Sequence, residues 1–113
     1  MDNPQQPIIS YKDDKEVHTY KGRWNGIAIT VVYQPNYFES ANVSHLEVRA
    51  DEPLPITETG YRSHWVLDGE LEGTDPFEYT LKGLDVQSKS KQWKCYLEHE
   101  KTMEIKKLQL SLF

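Results

Sequence analysis

The side chains best suited to catalytic chemistry lie in two short stretches, His45-Leu46-Glu47 and Ser63-His64. On a strand, His45 and Glu47 would project from one face because side chains alternate, and a neighbouring strand could supply His64. Two imidazoles and a carboxylate can hold a divalent transition metal and leave coordination positions open. These residues therefore support the hypothesis of a small metal-binding protein or enzyme centred on His45, Glu47 and His64.

The usual sequence motifs of metalloenzymes and nucleotide-binding enzymes are absent. No Pro-Cys-x-x-Cys follows the His-x-Glu as it does in zinc deaminases, and the chain has no His-Glu-x-x-His and no glycine-rich phosphate loop. Ser63 and His64 are adjacent, so on a strand they point to opposite faces and cannot readily form a hydrolase triad with Glu58. These absences favour a non-enzymatic role that needs no cofactor.

The run from Leu54 to Trp65 combines hydroxyls, an acid, a base, an imidazole and aromatic rings around one glycine. Such a loop can present hydrogen-bonding groups to a partner, and Tyr, Trp and Arg are the residue types that most often anchor interfaces. An ordinary turn at Thr59-Gly60 between two strands is the alternative interpretation. The residues predicted to form a binding surface are Thr57, Glu58, Thr59, Tyr61, Arg62, His64 and Trp65.

Two stretches of the chain resemble a known group of proteins. They are Tyr20-Lys21-Gly22-Arg23-Trp24 with Gly26-Ile27, and Leu54-Pro55-Ile56-Thr57-Glu58-Thr59-Gly60-Tyr61-Arg62-Ser63-His64. Both are similar to stretches of small uncharacterised bacterial proteins, some of which are associated with plasmids and other mobile elements. The resemblance covers residues 18–66. It implies a bacterial, cytosolic accessory protein, and it assigns no activity and no site.

The clearest local structural signal is Asn25-Gly26, which lies between two runs rich in β-branched and aromatic residues. Both positions accept the positive φ of a type I′ turn, so these runs predict a two-residue β-hairpin. In its register the core face carries Trp24, Gly22, Tyr20 and His18 opposite Ile27, Ile29, Val31 and Tyr33. The other face is polar to mixed and carries Arg23, Lys21, Thr19, Ala28, Thr30 and Val32.

Two further runs alternate like strands. Val43 to Ala50 places Leu46, Val48 and Ala50 on one side and His45, Glu47 and Arg49 on the other. Tyr61 to Leu67 places Tyr61, Ser63, Trp65 and Leu67 on one face and Arg62, His64 and Val66 on the other. Each run therefore predicts a strand, the first of them half-buried.

A helix is predicted to begin at Pro76. Asp75-Pro76-Phe77-Glu78 supplies the N-cap, the first-turn proline and the acid of a capping box. Phe77, Leu81 and Leu84 form an apolar stripe that suits a sheet face, and Gly83 is a candidate for the helix end.

The C-terminal part allows two interpretations. Trp93, Cys95 and Leu97 alternate, as do Leu108, Leu110 and Leu112, which predicts two closing strands. A continuous helix from Pro76 into Leu97 is the alternative, so the sequence supports either helix or strand for residues 84–97. The sum is an α+β fold with an antiparallel sheet of about five or six strands, an N-terminal hairpin and a meander, and one helix. Because one helix leaves a face or an edge of the sheet open, we expect pairing with a second copy.

The length, the cysteine content and the N-terminal residues limit the classes of protein to which the chain can belong. The 113 residues suit one domain, predicted over residues 15–113 after a polar, flexible tail of residues 1–14. Cys95 is the single cysteine, so no internal disulfide can form, and we expect it to pack as a small apolar side chain. The first ten residues lack the features of a signal peptide, which predicts a cytoplasmic location.

The charge distribution shapes the predicted function. A net charge of −5 disfavours direct nucleic-acid binding, while residues 39–78 hold ten acids against two arginines and would attract a basic partner. The leading hypothesis is a small acidic protein-interaction module, an accessory, inhibitor or decoy protein acting on a basic protein. A small-molecule binder using the aromatic face of Tyr20, Trp24 and Tyr33 is a further alternative. No membrane contact and no cofactor are expected.

Overall fold

The computed structural model describes residues 6–38 and 42–111, which form a five-stranded antiparallel sheet and two helices. The strands lie in the sheet in chain order, so the sheet is a meander. The elements are β1 (Ile8–Lys12), β2 (Lys15–Trp24), β3 (Ile27–Phe38), β4 (Val43–Ala50), β5 (Tyr61–Val66), α1 (Pro76–Gln87) and α2 (Lys91–Ser111). The α+β class and the antiparallel sheet are confirmed, whereas the prediction of a single helix is wrong.

The hairpin of β2 and β3 has the predicted turn and register. Asn25 and Gly26 adopt left-handed backbone with φ of 48° and 80°, as a primed turn requires. The paired residues run from Trp24 opposite Ile27 to His18 opposite Tyr33. The buried side chains of this hairpin are Tyr20, Trp24, Ile29 and Val31. The faces assigned from the alternation are therefore confirmed.

β4 and β5 extend the sheet with the predicted alternation. Leu46 and Val48 of β4 are buried in the core, and β5 ends at Val66, one residue before its predicted end. In the β4–β5 register, His45 lies opposite Trp65 and Leu46 lies opposite His64. Neighbours across antiparallel strands share a face, so Trp65 and His64 belong to opposite faces of the sheet.

α1 begins where the capping pattern predicts. Oδ1 of Asp75 accepts a hydrogen bond from the backbone N–H of Glu78 at 2.9 Å, and Pro76 lies in the first turn. Gly83 does not end the helix, which continues to Gln87. Gly83 can stay helical because the cooperative gain from the flanking turns exceeds its own low propensity, which is about 1 kcal/mol below that of alanine.

α1 covers one face of the sheet through close contacts with β2. A Cβ added to Gly22 would lie 2.4 Å from Cζ of Phe77, so the absent side chain makes room for this ring. Leu84 is completely buried in the same layer. Nε1 of Trp24 donates a hydrogen bond to Oδ1 of Asp85 at 2.8 Å, which satisfies the buried indole and ties the strand to the helix.

The C-terminal segment is a second helix, so the two predicted closing strands are wrong. A turn at residues 88–90 separates α2 from α1, and there the Ser90 hydroxyl accepts a hydrogen bond from the backbone N–H of Trp93. The alternative of a continuous helix is closer to the structure but misses this break. Trp93 and Tyr96 lie three residues apart on one side of α2 and pack on the core.

The alternation that predicted the closing strands does not describe a buried face. Cys95 is exposed on α2, so its predicted packing role is also wrong. Leu108 and Leu110 are exposed near the end of α2, and Leu112 lies outside the described residues. The lysines and glutamates around these leucines favour a helix, and three alternating positions are too few to outweigh that preference.

β1 is regular structure within the predicted N-terminal tail. It pairs with the start of β2, with Ile8 opposite Thr19 and Lys12 opposite Lys15. All five residues of β1 are exposed, so no buried face marks the strand in the sequence. The described sheet therefore begins at Ile8, before the domain start predicted at Lys15, and residues 1–5 of that tail lie outside the described part.

α1 and the start of α2 cover the same face of the sheet. No helix or loop covers the opposite face among residues 6–38 and 42–111. We call this opposite side the uncovered face. Neither described helix has both the length and the apolar character needed to cross a membrane.

Candidate functional site

The uncovered face presents the outward side chains of all five strands. The register aligns Lys21 with Thr30, Thr30 with Arg49, and Arg49 with Tyr61, so these four form one row across the sheet. A second row includes His45 and Trp65. Because strand residues rise by about 3.3 Å each, the two rows lie about 13 Å apart.

Three aromatic rings of the uncovered face form a cluster, which we call the aromatic cluster: Tyr37, His45 and Trp65. The ring centroids of His45 and Trp65 are 4.6 Å apart, and those of Tyr37 and Trp65 are 5.1 Å apart in an edge-on arrangement. Nε2 of His45 also lies 2.8 Å from Oγ of Ser63, which fixes the orientation of the imidazole. Trp65 nevertheless remains 46% exposed.

Tyr61 lies on the same strand as Trp65 and is also 46% exposed. The guanidinium of Arg49 lies 5.8 Å from the centre of its ring, within the range of a cation–π contact. Nη2 of Arg49 forms an ion pair with Oε1 of Glu47 at 2.6 Å. The arginine is thus held over the tyrosine ring by a carboxylate on its own strand.

The charge of the uncovered face is opposite in sign to that of the chain. Among the described strands, Glu47 is the one acid that points to this side. The basic residues there are Lys12, Lys15, Lys21, Arg23 and Arg49. Nζ of Lys15 donates a hydrogen bond to the carbonyl of Tyr37 at 3.0 Å. The face therefore carries a net charge of +4, whereas the whole chain carries −5.

A second polar group lies on the covered side, where β5 leads into the loop before α1. Oε2 of Glu70 lies 2.5 Å from Nε2 of His64 and accepts a hydrogen bond from the Tyr79 hydroxyl at 2.6 Å. Oε1 accepts a hydrogen bond from the backbone N–H of Leu67 at 3.0 Å. We call Glu70, His64 and Tyr79 the carboxylate cluster.

The hydrogen bonds of the carboxylate cluster change its acidities. Partial burial alone would raise the pKa of Glu70, but the bonds from Tyr79, His64 and the Leu67 amide, together with the His64 charge, lower it from 4.5 to about 2. The same bond to Glu70, with burial and the carboxylate charge, raises the pKa of the Tyr79 hydroxyl to about 12. Glu70 is therefore held as an anion that links β5 to α1.

A cleft of about 420 Å³ lies beside the carboxylate cluster, between β4, β5 and α1. Its polar lining includes Arg62, His64, Tyr79 and Gln87. Nη1 of Arg62 donates a hydrogen bond to the carbonyl of Ile56 at 3.0 Å, which fastens the guanidinium to the preceding loop. Arg62, His64 and Tyr79 are therefore all hydrogen-bonded within the protein itself.

The three candidate metal ligands do not converge. His45 and Glu47 lie on the uncovered face, whereas His64 lies on the covered face. Within residues 6–38 and 42–111, no group of three His, Cys, Asp or Glu side chains is placed to hold a metal ion. The hypothesis of one site shared by His45, Glu47 and His64 therefore has no geometric basis.

The predicted binding stretch is divided by the sheet. Tyr61 and Trp65 reach the uncovered face, while Arg62 and His64 point to the covered side. The hydroxyls of Thr57 and Thr59 both donate to the carbonyl of Tyr61, at 2.8 and 3.3 Å, and so stabilise the turn before β5. Glu58 lies beside this turn at the edge of a smaller pocket.

The aromatic residues proposed for a small-molecule site belong mainly to the core. Tyr20 stacks on Phe77 with ring centroids 6.3 Å apart, and Trp24 contacts Trp93 at the same centroid distance. Both Tyr20 and Trp24 are buried. Their faces are occupied by the helices, so these two rings stabilise the α1 layer.

Two important residues were not among the predicted site residues. Tyr37 reaches the aromatic cluster because the pairing of β3 with β4 shifts between Gln34 and Phe38, and alternation alone does not locate such an irregularity. Glu70 lies in an acidic loop between Asp68 and Glu72, and the sequence alone does not distinguish it from these two acids. The signal available for Glu70 was its place four residues after the end of β5 and three after Leu67, whose amide it reaches.

The comparison with protein families gives one match. The family model described as the KlcB third domain matches residues 17–93, from β2 to the beginning of α2. No curated protein and no solved structure matches the chain. The matched residues include the aromatic cluster, the carboxylate cluster and the α1 layer. They make up more than half of the chain, which therefore belongs to the KlcB third-domain family.

Proposed function

We propose that this domain is a non-enzymatic binding module that contacts a macromolecular partner through the uncovered face of its sheet. The observation that carries the proposal is the pair of half-exposed rings, Trp65 and Tyr61, on a face that no described element covers. Tryptophan, tyrosine and arginine are the residue types that contribute most to binding free energy at interfaces. This face holds all three, with Arg49 beside Tyr61 and Trp65 about 13 Å further along β5.

The local contacts support an interface rather than an ordinary solvated sheet. A solvated face usually carries short polar or charged side chains, whereas here His45, Tyr37 and Arg49 hold the two exposed rings in defined positions. Prepositioned rings lose little conformational entropy on binding, which favours affinity. The aromatic cluster is therefore suited to bury its exposed rings against a partner.

The carboxylate cluster supports a structural role on the covered side. Both oxygens of Glu70 accept hydrogen bonds from the protein itself. A general base must reach a proton of the substrate, and here Glu70 is already committed to Tyr79, His64 and the loop backbone. The covered side thus supplies rigidity, and the uncovered face supplies recognition.

The charge of residues 39–78 predicts one acidic surface for a basic partner. The positions of the acidic side chains instead favour the uncovered face as the partner surface. The acids of residues 42–78 lie mostly in loops at opposite ends of the sheet, Asp51, Glu52 and Glu58 at one end and Asp68, Glu70 and Glu72 at the other. A basic partner would meet these groups separately. The matched family is described as a third domain, and the accessory role and cytoplasmic location remain predictions from the sequence.

Photo-crosslinking in host cells tests the proposal. A photoreactive phenylalanine analogue replaces Ser63 or Thr30 on the uncovered face, and in a matched control it replaces Glu98 on the exposed part of α2. We expect a discrete higher-mass adduct from positions 63 and 30, reduced by Trp65→Ala in the same chain. No adduct from either position, or an equal adduct from position 98, would contradict the proposal.

A further inference from the structure

We infer that the uncovered face binds single-stranded nucleic acid, with bases stacked on Trp65 and Tyr61 and phosphates held by the basic residues of β1, β2 and β4. This inference rests on the proposed function, because it names the partner class of the same face. It reverses the expectation drawn from net charge. Three observations carry it: the charge of the face, the spacing of its rings and the short side chains between its charged ends.

The first observation is the separation of charge between the two sides of the molecule. The uncovered face holds five basic residues and one acid, which leaves eight basic and seventeen acidic residues for the rest of the chain. A polyanion would be repelled by the acidic loops and attracted to this face. Residues 79–113 also hold seven lysines against four acids, and Lys101 on α2 therefore serves as the control position. The net charge of −5 therefore orients a nucleic acid instead of excluding it.

The basic residues lie at two ends of the face. Lys21 and Arg49 share one row across the sheet, and Arg23 follows at the hairpin end. Lys12 and Lys15 pair at the other end. Asp13 and Asp14 lie in the turn between Lys12 and Lys15, so the end with Lys21 is the stronger phosphate site.

The second observation is the placement of the rings. Tyr61 and Trp65 are four residues apart on β5 and point to the same side, about 13 Å from each other. Each is 46% exposed. Stacking of bases on aromatic side chains, next to a positively charged groove, is how proteins bind single strands without reading their sequence. An acidic peptide would use the cations but has no need of the exposed parts of the two rings.

The third observation is the shape of the platform. In a duplex the base faces are stacked on each other, so they are not available to the rings, whereas the bases of an unpaired strand are. Between the two charged ends, the middle row of the face carries the short side chains of Thr19, Val32 and Ser63. The fourth member of this row is Glu47, whose carboxylate is paired with Arg49. An unpaired strand can therefore approach the sheet closely and place its bases on the rings.

Fluorescence anisotropy with a labelled oligothymidine of about 12 nucleotides tests the inference. We expect binding at about 50 mM salt that weakens roughly 10- to 50-fold by about 200 mM, because about four charges are neutralised. Quenching of tryptophan emission should accompany binding. Trp65→Ala should weaken binding by about tenfold or more and remove most of the quenching.

A matched pair of charge reversals tests whether binding depends on the charge of the uncovered face or on the net charge of the whole chain. Lys21→Glu and Lys101→Glu change the net charge equally, but Lys21 lies on the uncovered face and Lys101 lies on the exposed part of α2. We expect Lys21→Glu to weaken binding of oligothymidine by about tenfold, and Lys101→Glu to leave it within about twofold. Equal losses in both variants would overturn the inference.

Two further probes distinguish the competing partners. A duplex of the same length that binds as tightly as the single strand would overturn the inference, and so would polyglutamate that competes as well as oligothymidine, which would indicate an acidic protein. If oligothymidine fails to bind at low salt while position 63 still crosslinks to a protein, the inference fails and the proposed function stands. Failure of both experiments would reject both.

Discussion

The two faces of the sheet are formed by the same strands but differ in how far their aromatic residues are buried. On the covered face, Tyr20 and Trp24 are buried against α1 and α2. On the uncovered face, Trp65 and Tyr61 remain about half exposed although neighbouring side chains hold them in place. Burial therefore explains the first pair as stabilising the fold, while the second pair is ordered without being buried, which is typical of a surface that binds.

The largest expected difference between the faces is in stability. Phe77→Ala removes the ring that packs on Gly22 and Tyr20, and we expect the free energy of unfolding to fall by about 3–5 kcal/mol. Chemical denaturation monitored by circular dichroism measures it. A loss below about 1 kcal/mol would show that α1 contributes little to the core, and the distinction between the faces would fail.

The contact of Phe77 with Gly22 sharpens the comparison. Gly22→Ala places a Cβ 2.4 Å from Cζ of Phe77, so we expect a loss of about 1–3 kcal/mol from overpacking. In a Phe77→Ala background the same substitution meets no ring and should be close to neutral. A double-mutant cycle measures this coupling, and additive losses would contradict the close packing of α1 on β2.

The carboxylate cluster makes the covered face sensitive to acid. The pKa of Glu70 in the folded state is about 2, below its ordinary 4.5, so its contribution is complete above pH 4.5 and is lost as the pH falls toward 2. We expect this contribution to be about 1–2 kcal/mol, reduced from the full shift because the side chain is 23% exposed. Denaturation midpoints across this pH range test it.

Variants of the cluster provide the controls for the acid experiment. Glu70→Gln should flatten the dependence of stability on pH between about 4.5 and 2. Tyr79→Phe removes one hydrogen bond to the carboxylate, so the folded-state pKa of Glu70 should rise toward 4.5, and the loss of stability below pH 4.5 should be smaller and complete at a higher pH. Tyr96→Phe, which changes a phenol that makes no bond to Glu70, should leave the profile as in the wild type. Identical profiles for all three variants would rule out a role for Glu70.

The smallest effect on stability is expected on the uncovered face. Tyr61→Ala and Trp65→Ala remove rings that are already about half exposed, so each should lower the free energy of unfolding by about 1 kcal/mol or less. The same denaturation experiment measures them beside Phe77→Ala. Losses as large as that of Phe77→Ala would mean that these rings belong to the core, and the contrast between the faces would disappear.

The sequence was informative where local rules acted together. Asn25-Gly26 fixed the turn, and alternation then placed the paired side chains from His18 to Trp24 and from Ile27 to Tyr33. Asp75 and Pro76 likewise fixed the start of α1. Where a local signal was weak, prediction failed: β1 has no buried side, and α2 was hidden by a chance alternation of leucines.

The candidate site was harder to predict because it depends on how strands are paired. Alternation placed His45 and Glu47 on one side of β4, but it cannot tell which side of β5 joins them. The ten residues between these strands include the turn stabilised by Thr57 and Thr59, and this turn sets the parity that puts Trp65, instead of His64, beside His45. A shift of one residue in the β4–β5 register would have placed His64, instead of Trp65, beside His45.

The distal part of α2 has a consequence for hydrogen exchange. Every side chain from Leu97 to Leu110 is exposed, so this stretch receives little support from packing, and a helix of that length is marginal in water by itself. Its backbone amides should open independently of the sheet and exchange with solvent far faster than those around Leu84 and Trp93. The fold thus joins a protected body to a helical arm whose opening does not require global unfolding.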